Sequence, residues 1–319
     1  ASMKDAEKQV LEDMQTTKEV MWEVFGVPFI FFERPQWDKF AGAVKTFAAD
    51  SLAPSGRVIQ QPSTHLLGQN FAKPFNVVFV DEKGKEQHCF MTCYGPAISR
   101  IFASVIAVHG DKQGLCFPWE IAPKQIVIVP VFKGDEAENK KTLKKAKSLL
   151  KQLSRNFDVM LDDSKDKSLG EKFYYWEMKG VPLRIELGPR ELAEDSCIVF
   201  RRDTKEKIKV SLKDLKKKVK ALGKEISRSL KEKASRMFEG NIVKAKSMEG
   251  LKQAIEGKKI VKADFCSIDW AGENCSLKVR EATQATIRGV RVDGKEKPEG
   301  NCIACGKPAG CVVYIAKQY

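Results

Sequence analysis

The sequence predicts a multidomain chain that combines α/β and α+β parts. Its 319 residues exceed one ordinary domain, and two or three are the natural expectation. From residue 125 onward, strand-like and helix-like patterns alternate as a parallel α/β unit requires. After residue 237 the chain changes in kind and gathers cysteines at close spacing. An apolar fraction of 43% is that of a folded chain rather than a disordered one.

Residues 1–7 are charged and helix-prone, without the apolar core of a signal peptide. A helix that starts at the first residue, with no capping lead-in, is expected to have sequence before it. Residues 8–24 carry Val10, Leu11, Met14, Val20, Met21 and Val24 near helical spacing. A buried strand is expected at 27–32 and a Pro-, Ser- and Gly-containing loop at 52–56. A strand at 75–80 turns through 81–85 into another near 87–92, because a charged turn with Gly84 separates two apolar runs. Pro96 opens a helix through His109. The longest apolar run, 101–108, is too short to span a bilayer, and no membrane partner is expected.

A boundary falls near 118–123. Beyond it the pattern gives a strand at 125–131 and a helix at 137–155 with Leu143, Ala146, Leu150 and Leu153 on one face. Strands are expected at 157–161, 181–187, 197–202 and 207–210. A long amphipathic helix follows, marked by Leu212, Leu215, Val219, Leu222, Ile226 and Leu230. The remainder contributes a short helix near 248–255, a strand near 260–265 and the cysteine-bearing region. The resulting division is 1–120, 121–236 and 237–319.

The formal net charge is +14, from 56 Lys and Arg against 42 Asp and Glu. An anionic partner would explain it, since lysines and arginines near phosphates release condensed counterions. Lysine-rich faces are usually only solvated, but here the basic residues crowd between Arg201 and Arg236. Nine cysteines without a secretory signal point to a reducing, cytoplasmic compartment.

Two strings suggest a pocket. In residues 56–71, which include Gly56, Arg57, Gln60, Ser63, His65, Gly68, Gln69 and Asn70, polar groups sit between apolar strand residues. The plainer reading, favoured by spacing alone, is a polar turn in which His65 caps a helix or satisfies a core carbonyl. Residues 91–100 run as a strand through Cys93, Gly95 and Pro96 into a helix bearing Arg100. Gly95 would admit a planar ligand close to the backbone, and Arg100 could hold a polyphosphate. Taken alone, such an arginine is usually a surface residue.

Together the two strings resemble prolyl-tRNA synthetases of the archaeal and eukaryotic type. Residues 56–71 resemble that family's Gly-Arg-x-x-Gln-x-x-x-x-His-x-Leu-Gly-Gln-Asn-Phe segment. The run from Lys39 to Ala43 resembles the Lys-Phe-Ala-Gly-Ala string preceding it, and 93–100 looks like motif 3 of class II synthetases. His109, Gly110 and Asp111 continue the match. Pro62, Ser63 and Thr64 replace the family's usual Gly-Thr-Ser, Ala97 stands where motif 3 often has a second glycine, and Ser99 where glutamate is common. Motifs 1 and 2 have no counterpart, so this stretch alone is expected to be inactive. The resemblance implies that Gln60 and Ser63 contact the adenylate, His65 lines the proline pocket, and Cys93 and Gly95 form its floor. It implies Arg100 on the γ-phosphate side of ATP, with Mg2+ accompanying the nucleotide. His65 and Arg100 are thus the expected catalytic pair.

Residues 170–190 interleave aromatics with Lys, Glu and Arg, a composition suited to stacking on unpaired bases. An amphipathic helix ending at Gly180, with its aromatics in the core, fits most of 173–176 better. The segment nonetheless resembles the family's anticodon-binding domain. That match makes Glu171, Lys172, Lys179 and Arg202 the candidates for reading the anticodon, with Arg184 and Glu186 paired structurally on the sheet.

Finally, Cys266 and Cys275 precede the Cys302-Ile303-Ala304-Cys305 pair, which glycine follows. This reads as a tetrahedral Cys₄ zinc site, structural because all four positions would be filled by sulfur. Eight residues between the first two cysteines is wide for a knuckle, and Cys311 is near enough to substitute. The resemblance supports a terminal zinc domain and a C-terminal Tyr319 folded back toward the active site; the alternative is a frayed tail. It implies an antiparallel class II catalytic sheet, an α/β anticodon domain with a mixed sheet, and a zinc-binding α+β domain. It further implies ligation of proline to tRNA(Pro) with ATP by a cytoplasmic homodimer, and no role for DNA. The rival is a non-catalytic tRNA-binding protein built from the same parts.

Overall fold

The computed structural model describes residues 1–294 and 296–319. By compactness the chain forms two units. One comprises Ala1–Glu23, Val27–Ser104 and Ser235–Tyr319; the other comprises Val24–Gly26 and Val105–Ala234.

The chain enters the first unit through helix α1 (Met3–Lys18). A capping box opens it: Ser2 Oγ accepts from the Asp5 backbone N–H, and the Asp5 carboxylate accepts from the Ser2 N–H. Two orphan donors are thereby satisfied, so the expected lack of a capping lead-in is corrected. The helix continues as a π-helical stretch, Glu19–Val24. Then come β1 (Ile30–Glu33), β2 (Lys45–Leu52) and β3 (Val58–Gly68). The ambiguous segment 56–71 is therefore mostly strand, not turn. A small hairpin, β4 (Val78–Val80) with β5 (Glu86–His88), stands as its own two-stranded sheet. The strand expected at 87–92 splits: β5 ends at His88, and β6 (Met91–Gly95) leaves to pair with β3. Helix α2 (Ile98–His109) follows.

The second unit contains β7 (Ile126–Pro130), α3 (Glu136–Leu153), β8 (Val159–Leu161), α4 (Leu169–Met178), β9 (Leu183–Leu187), α5 (Pro189–Ala193), β10 (Ser196–Arg201) and β11 (Lys207–Ser211). Helix α6 (Leu215–Glu239) closes it. The sheet order is β11-β10-β9-β7-β8, with β7, β8 and β9 parallel and the other pairs antiparallel. Ala146, Leu149 and Leu153 of α3 and Leu215, Val219, Leu222, Ile226 and Leu230 of α6 cover one face. Leu169, Phe173 and Trp176 of α4 cover Val127 and Val129 on the other. Both faces of β7 are covered, which explains its uninterrupted apolar run.

The chain then returns to the first unit through β12 (Ile242–Lys244), α7 (Met248–Glu256), β13 (Ile260–Phe265), α8 (Glu273–Thr283), β14 (Thr286–Arg291) and β15 (Cys311–Ala316). These strands extend the earlier ones into one eight-stranded sheet, ordered β12-β13-β15-β14-β1-β2-β3-β6. The join is the antiparallel pair β1–β14, with Phe32 opposite Arg291. No described helix is long and apolar enough to cross a membrane.

Candidate active site, RNA-facing surface and cysteine cluster

The register of β3 gathers five of the residues singled out from sequence. Ser63 lies opposite Gly95 and His65 opposite Cys93 on β6; across β2, Ser63 faces Ala48 and His65 faces Thr46. Strand alternation alone would place Gln60 on the reverse side from Ser63 and His65. A β-bulge at Gln61 and Pro62, which together oppose Ala49, restores it, so that Gln60 pairs with Asp50 and joins the same face. Proline suits the bulge because it has no N–H to give the ladder. Gln60, Ser63, His65, Cys93 and Gly95 thus share one face of adjacent strands.

Hydrogen bonding holds the His65 ring at both nitrogens. Thr46 Oγ1, which accepts from the Phe40 backbone N–H at 2.9 Å, lies 3.0 Å from His65 Nδ1. Nε2 lies 3.3 Å from Ser63 Oγ; either neutral tautomer satisfies both contacts, because each hydroxyl can donate or accept. Burial pushes the imidazole pKa down, favouring the neutral ring, and Phe40 packs on it with centroids 4.9 Å apart. A neutral histidine beside a serine offers hydrogen-bonding groups on this face without adding a positive charge to it.

Behind Gln60 lies an ionic cluster that the sequence did not disclose. Asp50 bridges Arg34 (Nη2–Oδ1 2.6 Å) and Arg288 (Nε–Oδ2 2.7 Å), all three side chains almost fully buried. Burial opposes ionisation of Asp50, but the two guanidinium charges outweigh it and hold the carboxyl below its usual range. Arg34 Nη2 also donates to Gln60 Oε1 at 3.3 Å. Arg288 hydrogen-bonds Gln318 near the C-terminus. The tail is held further by Arg57 Nη1 donating to the Gln318 carbonyl at 2.8 Å and by a 2.7 Å bond between Ser55 Oγ and the Tyr319 hydroxyl. It is therefore not frayed, and it ends beside the first residues of β3.

Arg100 projects from the first turn of α2, exposed, and its guanidinium has no ion-pair partner among the described residues. The structure does not tie it directly to the Gln60, Ser63 and His65 face. Ala97 holds φ at +52°, a left-handed conformation that explains why glycine is common at this position.

In the second unit, Glu171 and Lys179 are exposed at opposite ends of α4. Glu171 closes a capping box by accepting from the Ser168 backbone N–H at 2.7 Å. Lys179 lies 5.6 Å from the centre of the Tyr175 ring, and Lys167 lies 4.7 Å from it. Lys172 is buried, donating to the Ser164 carbonyl and pairing with Asp162. Arg202, 1% exposed, makes a two-pronged pair with Asp111 at 2.9 and 2.6 Å, which draws the Asp111 pKa down to about 2. Arg184 is sandwiched between Phe173 and Phe200 and bonded to Glu177 and Glu186, the structural pairing expected for it. A cavity of about 770 Å³, which sequence reasoning missed, opens at the carboxyl end of β7. Phe132, Lys140, Lys165, Lys167 and Lys172 line it, and Phe132 is 38% exposed. The carboxyl ends of parallel strands are where such sheets bind ligands. Its lysines come from separate elements, so no local motif marked them.

The four cysteines converge in the first unit. Cys266 follows β13, Cys275 sits in α8, and Cys302 and Cys305 occupy a turn in which the Gly306 N–H returns to the Cys302 carbonyl at 2.9 Å. Their sulfurs all lie within 4.8 Å of one another, so the cluster could hold a metal ion. Four thiolates around one tetrahedral zinc stand roughly 3.8 Å apart, which this grouping fits. Cys311 lies outside the set and directs its thiol to the Phe265 carbonyl at 3.6 Å. The wide spacing of Cys266 and Cys275 arises because a short 3-10 turn and the start of α8 lie between them.

A sheet that is antiparallel except for its β12–β13 pair, with a glycine-to-helix turn after its edge strand β6, together with a separate mixed α/β unit, fits a class II aminoacyl-tRNA synthetase core with its anticodon-binding domain. Residues 2–109 match the family "tRNA synthetase class II core domain (G, H, P, S and T)", 125–222 match "Anticodon binding domain", and 248–319 match "Prolyl-tRNA synthetase, C-terminal". Similar proteins include the proline--tRNA ligases of Thermofilum pendens, 43% identical over 100% of this chain and 66% of that protein, and Methanopyrus kandleri, 38% identical over 100% and 64%. A solved structure described as Giardia lamblia prolyl-tRNA synthetase in complex with prolyl-adenylate aligns at a TM-score of 0.95 and 32% identity, covering 100% of this chain and 67% of that one. The chain belongs to the prolyl-tRNA synthetase family. It spans 66% and 64% of the two curated relatives named.

Proposed function

We propose that the protein carrying this chain activates proline with ATP and transfers the prolyl group to tRNA(Pro). The observation that carries this reading is the bulge in β3, which puts Gln60, Ser63 and His65 on one face beside Cys93 and Gly95. A module that only binds RNA has no use for that convergence. Neutral His65, with Cys93 and the uncovered backbone at Gly95, would receive the imino acid. Gln60 and Ser63 would hold the adenylate, and Arg100 would meet the outer phosphates. The proline carboxylate oxygen attacks the α-phosphorus, a new P–O bond forms, and pyrophosphate leaves with the electron pair of the broken one. Such a step depends on positioning and on neutralising phosphate charge; Mg2+ would share the latter with Arg100.

Glu171 and Lys179 are accessible to an RNA directly, and the cavity beside Phe132 offers a stacking surface amid lysines. Lys172 and Arg202 would reach a base only by exchanging their present partners. The Cys266, Cys275, Cys302 and Cys305 cluster would hold a structural zinc ion. A division into catalytic (1–120), anticodon-binding (121–236) and zinc-binding (237–319) parts, a cytoplasmic location and a homodimer complete the proposal.

The full-length protein should catalyse proline-dependent exchange of labelled pyrophosphate into ATP. A protein that binds tRNA(Pro) without exchange would establish the rival, a non-catalytic RNA-binding descendant.

A further inference from the structure

Gln61 is one of the two bulge residues, and its side chain passes to the reverse face of the sheet. There Nε2 donates to Ser51 Oγ at 2.8 Å and to Ser104 Oγ at 2.6 Å, and the two hydroxyls lie 3.4 Å apart. The three residues are between 0% and 1% exposed. Ser104 belongs to α2, one helical turn beyond Arg100. The amide therefore spans two things that must keep a fixed relation. One is the bulge that sets Gln60 against Ser63; the other is the helix that presents Arg100.

Gln61 Oε1 has no hydrogen-bond partner among the described residues. A buried amide left partly unsatisfied is less stable than an apolar group of the same shape. Fixing one geometry is what a buried polar network can do that apolar packing does less sharply. Pro62 sharpens the case, because it gives the bulge no ladder donor and the side-chain tie supplies an alternative.

We propose that Gln61, through Ser104, is a positioning residue for nucleotide binding: it fixes the distance between the adenylate-facing bulge and the helix bearing Arg100. This rests on the proposed activity above. The pairings Ser63–Gly95 and His65–Cys93 are backbone register and do not depend on this tie. Its loss should therefore touch ATP more than proline.

The experiment uses the full-length protein in pyrophosphate exchange, with Ser104→Val and Ser104→Thr as a pair of nearly equal shape that differ in the hydroxyl. Ser104→Val is expected to lower kcat/KM for ATP about tenfold, and to leave KM for proline within about twofold. Its thermal midpoint should be no lower than that of Ser104→Thr. Ser104→Thr should retain kcat/KM for ATP. Gln61→Leu should match Ser104→Val, and the double variant should be no worse than either single one, as members of one link require. Equal losses in the Val and Thr variants would mean that volume alone matters and would overturn the inference. So would a Ser104→Val protein indistinguishable from wild type. Absence of exchange in the unmodified protein would instead overturn the activity and the inference with it.

Discussion

Asp50 faces two guanidinium groups at once, and that arrangement makes its charge indispensable to the fold around Gln60. In Asp50→Asn the volume is kept but two buried positive charges lose their counterion. Breaking a buried ionic group in this way costs about 3–5 kcal/mol, which should appear as a fall in the denaturation midpoint of the first unit. An unchanged midpoint would mean that water reaches the two arginines. Nothing in the sequence marked this cluster. Arg34 and Asp50 are 16 residues apart, and Arg288 is 238 residues from Asp50, so no local spacing brings them together. His65 and Ser63 were legible for the opposite reason, since both belong to one short string whose residue types are specific. What the string alone could not say was which face they occupy, because that depends on a bulge detectable only through the pairing of β2 with β3.

Helix α6 was read from its apolar stripe, and from Leu215 onward the stripe is where the sequence placed it, with Val219, Leu222 and Ile226 fully buried; Leu212, read as its first position, is buried in the turn before the helix starts. Gly223 lies within it, although glycine is about 1 kcal/mol worse than alanine in a helix. The structure supplies the reason: a Cβ at Gly223 would stand 2.5 Å from Trp119 Cδ2. Trp119 is held there by its backbone N–H donating to Ser227 Oγ at 2.9 Å, and its indole by edge packing on Phe157 at 5.7 Å. Gly223→Ala should therefore destabilise the second unit by roughly 1–3 kcal/mol, overpacking outweighing the gain in helix propensity; a stabilised variant in urea melts would show that Trp119 can move aside. Strands were less legible than helices. β2 has no clean alternation because both of its faces are buried, and its pattern gave no warning of a strand.

For the molecule as a whole, the cysteine cluster would become a second centre of stability within the first unit on binding a metal ion. Cys275 and Cys302 belong to the same apolar core as Val261, Phe265 and Val313, so a metal bound there would anchor that core. Purified protein should contain one zinc per chain, and removing it with a chelator should lower the thermal midpoint by several degrees or more, since metal affinity becomes folding energy. Cys266→Ser protein that keeps a full equivalent of zinc would strike that residue from the ligand set. Composition and order suggested three parts, whereas by compactness the chain forms two units, with the last part in the same unit as most of the first. The shared sheet was not, because the pairing of β1 with β14 joins strands that lie at opposite ends of the chain.

That pairing has a consequence for biosynthesis. When β1, β2, β3 and β6 leave the ribosome, the strand that must flank β1 is still roughly two hundred residues from being translated. At about 5–20 residues per second the gap lasts on the order of tens of seconds. Throughout it the open edge of β1, bearing Phe31 and Phe32, is a template for any passing strand, so a nascent chain stalled before Thr286 is the form most in need of a chaperone.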